Sequence, residues 1–65
     1  MFRIRVDQNG SKGIISEYIP GCYSDIETAV TRACCIMSYY RPRCLWVLAV
    51  AVENSDGEQV YINVR

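Results

Sequence analysis

The feature that most constrains this chain is a single apolar stripe between residues 26 and 40. Ile26, Ala29, Val30, Ala33, Cys34, Met37 and Tyr40 recur at the i, i+3, i+4, i+7 spacing that gathers side chains on one side of an α-helix. Glu27, Thr28, Thr31, Arg32, Cys35 and Ser38 take the other side. Ser24-Asp25-Ile26-Glu27 has the S-x-x-E form of a capping box, in which Ser24 accepts from the Glu27 amide and Glu27 reaches back. Asp25 and Glu27 sit at the positive end of the helix dipole and Arg41 near its negative end. Pro42 ends the helix, because a residue before proline is pushed out of the α region. The pattern predicts one helix over 25–41.

Everything around that helix reads as strand. Phe2, Ile4 and Val6 alternate with Arg3 and Arg5, the period-2 signature of a half-buried strand over 2–6. A polar run containing Asn9-Gly10 supplies a hairpin turn, and a second strand follows over 14–19. Its inward face is ambiguous, since Ile14 and Tyr18 compete with Ile15 and Ile19. Residues 44–53 form a β-branched, apolar run, Asn54-Ser55-Asp56-Gly57 a second turn, and 58–65 a last alternating strand. The expected fold is α+β, in the order β-β-α-β-β: a four-stranded, mainly antiparallel sheet with one helix packed on one face. A right-handed crossover through the helix is the expectation. Sixty-five residues leave room for one compact domain, 1–65.

The third strand is apolar on both sides. Leu45, Val47, Ala49 and Ala51 line one face, and Trp46, Leu48, Val50 and Val52 the other. A two-residue turn at Asp56-Gly57 pairs Ala51 with Ile62 and Ala49 with Val64. It places Trp46, Leu48, Val50 and Val52 beside Tyr61, Asn63 and Arg65, on the face away from the helix. A three-residue loop or a bulge reverses that parity and buries Trp46. On the first arrangement an apolar stripe of Trp46, Leu48, Val50, Val52 and Tyr61 is left exposed, the usual mark of a partner site. A second copy packing sheet to sheet would cover it and supply core that a short chain lacks. Homodimerisation is therefore expected.

Reactive chemistry lacks its parts. The chain has no histidine, which removes the commonest base and metal ligand. Cys22, Cys34, Cys35 and Cys44 contain no C-x-x-C pair, so no metal site is expected, and no cofactor motif occurs. Free thiols are expected, because nothing reads as a secretory signal and a cytoplasmic location is the default. Asp25 and Glu27 match capping rather than acid–base catalysis, and Lys12 between Gly10 and Gly13 is followed by no helix to cradle a phosphate. No catalytic residue is expected, so the chain reads as a non-enzyme. No stretch approaches the ~20 apolar residues of a membrane span.

Two binding classes remain. Arg3, Arg5 and Arg65 point outward from strands, and Arg41 and Arg43 adjoin Tyr39 and Tyr40. With Trp46 and Tyr61 they would make a single-stranded nucleic-acid platform, although seven basic residues against seven acidic ones leave no basic excess. Protein binding is favoured: five tyrosines, one tryptophan and outward arginines supply hot-spot chemistry. The chain reads as a complete small gene product without catalytic parts. In size and element order it resembles accessory and inhibitory proteins of phages and mobile elements, anti-CRISPR inhibitors among them. That resemblance implies inhibition of a larger host machine in the host cytoplasm. It spans the chain but rests on no motif, so it assigns no residue.

Overall fold

The computed structural model describes residues 1–65. Strand β1 spans Arg3–Gly10, β2 Gly13–Tyr18, helix α1 Ile26–Tyr40, β3 Val47–Glu53 and β4 Gln59–Val64. The strands form one antiparallel sheet in the order β2-β1-β3-β4, with the helix on one face. This is the α+β, β-β-α-β-β architecture that the periodicities predict. Because β2 and β3 both run antiparallel to β1, they are parallel to each other, and the helix carries the chain past β1 between them.

The first hairpin is longer than the polar run suggests. β1 continues to Gly10, which faces Gly13, and the turn is Ser11-Lys12 rather than Asn9-Gly10. A Cβ at Gly10 would press on the Gly13 carbonyl oxygen at 2.9 Å and displace the Ile15 side chain. Gly13 is required by conformation, at φ 127°.

The helix begins one residue later than the capping box implies. Asp25, not Ser24, is the N-cap, and its carboxylate accepts from both the amide and the hydroxyl of Thr28, each at 2.9 Å. A carboxylate that satisfies two donors of one residue outcompetes the Ser24–Glu27 exchange. Pro42 also acts differently from expectation. Arg41 keeps helical dihedrals and donates its amide to Met37, so the stop comes from the amide that Pro42 lacks. Cys44 and Arg43 then both donate to the Tyr40 carbonyl, winding 41–46 into turns. β3 consequently starts at Val47, and Trp46 lies on a turn outside the strand's alternation.

Between helix and sheet lies the core: Ala29, Ala33 and Met37 against Ile4, Val6, Val47, Val50 and Val52. Ile36 packs here too, although the stripe omits it, whereas Ile26 is exposed. Phe2 and Tyr23 exchange backbone hydrogen bonds and pin the segment before the helix to the start of β1.

The expected pairing of β3 with β4 is present, but the face is inverted. Ala51 faces Ile62 and Ala49 faces Val64. Asn54 and Glu58 close a three-residue loop, and a bulge at the start of β4 restores the parity of a two-residue turn. However, Val50 and Val52 lie under the helix, fully buried, with Tyr61 beside them. The cause is β1. Its apolar face must be the helix face, and Ile4 sits opposite Val52 and Val6 opposite Val50. The apolar stripe expected on the open face is therefore core, and the open face carries Ala49 and Ala51 instead.

Candidate functional site

The open face divides into a polar half and an apolar half. Across β1, β3 and β2 runs a network centred on Arg5. Its Nε and Nη2 donate to the two Asp7 oxygens at 2.8 and 2.9 Å, Nη1 to Glu53 Oε2 at 2.8 Å, and Nη2 also to Gln59 Oε1 at 2.7 Å. The side chain thus crosses from β1 to β4 and roofs Ala51. Arg3 and Tyr18 both donate to Glu53 Oε1, Arg3 stacks 4.0 Å above the Tyr18 ring, and Ser16 donates to Asp7. Glu53 is the one buried charged residue, 5% exposed. Burial alone would raise its pKa, but hydrogen bonds from Arg5, Tyr18 and Arg3 outweigh it and hold the carboxyl below its ordinary range. Asp7 is likewise held low, its burial outweighed by Arg5 and Ser16.

This arrangement neutralises two of the five arginines proposed for nucleic acid, and the other three bond neutral acceptors. Arg3 and Arg5 are matched by Asp7 and Glu53. At the far end of the helix Arg41 donates to Asn63 and the Val64 carbonyl. Arg43 donates to the Tyr39 carbonyl and stacks on that ring, while Arg65 donates to the carbonyls of Arg41, Cys44 and Val47. These three tie β4 and the helix end together. The two clusters lie apart, and Tyr61, the proposed stacking partner, is under the helix. Of the basic side chains only those of Lys12 and Arg32 make no hydrogen bond or ion pair, one at the hairpin tip and one on the helix.

Of the proposed partner residues, Trp46 is 53% exposed, Leu48 and Tyr61 are half-buried, and Val50 and Val52 are buried. Tyr61 shares a 3.0 Å hydrogen bond with the Cys34 thiol, and that bond together with burial pushes the phenol up from its ordinary value. Cys22, Cys35 and Cys44 are unpaired and separate. No cluster of three or more Cys, Asp or Glu side chains could hold a metal ion. No helix is long and apolar enough to cross a membrane.

Sequence reasoning missed the apolar half of the open face, on β4. Ile62 and Val64 project from it, 40% and 62% exposed. Arg65 donates its amide to Leu48, so the alternation of an antiparallel ladder turns Tyr61 and Asn63 toward β3. Ile62 and Val64 therefore direct their own backbone groups away from the sheet. From Gln59 to Val64 the strand carries no charge and no proline. The composition was readable in the sequence, but it marks an unblunted edge only once the strand order places β4 at the end of the sheet.

Nothing matches. No family model fits the chain, and no curated protein or solved structure is significantly similar to it.

Proposed function

We propose that this chain is a non-enzymatic protein-binding module that works as a homodimer, joined along the free edge of β4. A single observation carries the reading: β4 ends the sheet with exposed Ile62 and Val64 and with outward backbone groups of which only the Val64 carbonyl is met, by Arg41, and the strand itself has neither charge nor proline. Natural proteins cover or charge such an edge, because its unpaired amides and carbonyls template another strand. Four of its six uncharged residues, Val60, Tyr61, Ile62 and Val64, have high β-propensity and favour such pairing. A two-fold antiparallel β4–β4 pairing would build an eight-stranded sheet and bring both copies of Ile62 and Val64 together on the open face. The accessory or inhibitory role is then exercised by the dimer on a further protein.

Sedimentation at roughly 100 µM, where a micromolar dimer is nearly saturated, tests the reading. The expected species is a dimer, converted to a folded monomer by Ile62→Lys with Val64→Lys. Ile14→Lys, on the opposite edge, should leave it dimeric. A monomer at that concentration, or a dimer indifferent to the β4 lysines, overturns the proposal.

A further inference from the structure

The helix lies mainly over β3, reaches β1 and β4 on either side of it, and leaves β2 uncovered on its own side of the sheet. A groove of about 330 Å³ opens there, between the sheet and the turn that follows the helix. Val6 and Val47 contribute to its apolar wall, and Tyr40 and Trp46 bring aromatic rings. Gln8 and Glu17 contribute the polar side chains. Glu17 is the only charged residue that lines the groove, and all three ion pairs of the protein lie elsewhere. The Gln8 amide, the Tyr40 hydroxyl and the Trp46 indole nitrogen also make no hydrogen bond within the chain.

We infer that this groove receives an arginine or lysine side chain from an extended segment of a partner protein. The inference rests on the protein-binding reading and names the partner's chemistry. A long basic side chain has the matching construction: an aliphatic stem for the apolar wall, and a cationic head for the aromatic faces and the free carboxylate. An acidic occupant would be repelled by Glu17, and a neutral one would gain nothing from it. The backbone of such a segment also has a place. Ile19 donates its amide to Ile4, so the alternation of the ladder leaves the backbone groups of Ser16 and Tyr18 facing outward along β2. A strand added to that edge sets a residue across from Glu17, on the groove side of the sheet, where opposite charges pair favourably.

Trp46 is the only tryptophan, so its fluorescence reports the groove directly. The test titrates the protein with the blocked pentapeptide acetyl-Thr-Val-Arg-Val-Thr-amide and with its norleucine and glutamate analogues at the central position. A saturable change is expected for the arginine peptide, with Kd on the order of 1 mM, and at least a tenfold weaker response for either analogue. Glu17→Gln, an exposed and nearly isosteric change, should weaken the arginine peptide about tenfold while the circular dichroism stays unaltered. Equal responses to arginine and norleucine, indifference to Glu17→Gln, or no response at all would each overturn the inference. The β4 double-lysine variant separates the two proposals. If it is monomeric and still binds the peptide, both stand. If the parent dimerises but ignores the peptide, only the groove assignment falls.

Discussion

Arg5 Nη1 and Glu53 Oε2 meet at 2.8 Å across the β1–β3 boundary, 48 residues apart in sequence. Glu53 is nearly out of solvent, and Arg5 is four-fifths covered. Arg5 also holds Asp7 and Gln59, so removing Glu53 leaves it paired, and the loss is that of the charge-assisted hydrogen bonds Glu53 accepts. Glu53→Ala is therefore expected to cost about 2 kcal/mol in urea unfolding. Arg3 approaches the same carboxylate from a half-exposed position, at 3.3 Å. Arg3→Ala should cost less than about 1 kcal/mol, as exposed pairs do.

The same network sets an acid limit. Glu53 and Asp7 are held below their ordinary values of 4.5 and 3.8 in the folded protein. Each therefore binds protons more readily when unfolded, and stability rises with pH through that range. Their contribution is complete above the ordinary values and is lost as pH falls through the lower folded ones. Urea midpoints measured from about pH 7 down to about pH 2.5 should decline steeply below pH 4.5. In Glu53→Gln the decline should be shallower, from a lower starting point. Parallel curves for the two proteins would show that Glu53 is not a source of the acid sensitivity.

The N-cap offers a comparison between neighbours. Asp25 accepts two hydrogen bonds from Thr28, whereas Ser24 makes no side-chain bond. Asp25→Ala should cost about 1 kcal/mol, and Ser24→Ala no more than about 0.5 kcal/mol. Thermal unfolding of the two variants side by side measures the difference. A larger loss for Ser24→Ala than for Asp25→Ala would place the cap on Ser24.

The helix and four strands were legible because each carries its own periodicity, readable without knowing its neighbours. What the sequence could not show depends on contacts between distant segments. β3 has branched residues on one side and alanines on the other, so its local pattern does not say which side is inward. Only the register Ile4↔Val52, a contact between the two ends of the chain, decides it. Arg5 was legible as outward-facing, but its partners Glu53 and Gln59 lie near the other terminus. Trp46 was misplaced for a different reason: the turns after Pro42 use up three residues that the apolar run suggested were strand. The edge status of β4 follows from strand order, which periodicity does not encode.

The inverted face of β3 gives the sharpest mutational contrast. Val50 is fully buried against the helix and sheet, so Val50→Ala removes two methyl groups from a packed core that can collapse only partly. A loss of about 2 kcal/mol is expected. Trp46, though larger, leaves half its surface in water and makes no side-chain hydrogen bond, so Trp46→Ala should cost less than Val50→Ala. Were β3 turned the other way, with its branched face open, the order would reverse: truncating an exposed valine would be nearly neutral. Val64→Ala supplies the internal reference, an exposed valine on the opposite face, expected within about 0.5 kcal/mol when measured on the monomer. Denaturant unfolding of the three variants at low protein concentration, where dimerisation does not contribute, therefore reads the orientation of the sheet directly.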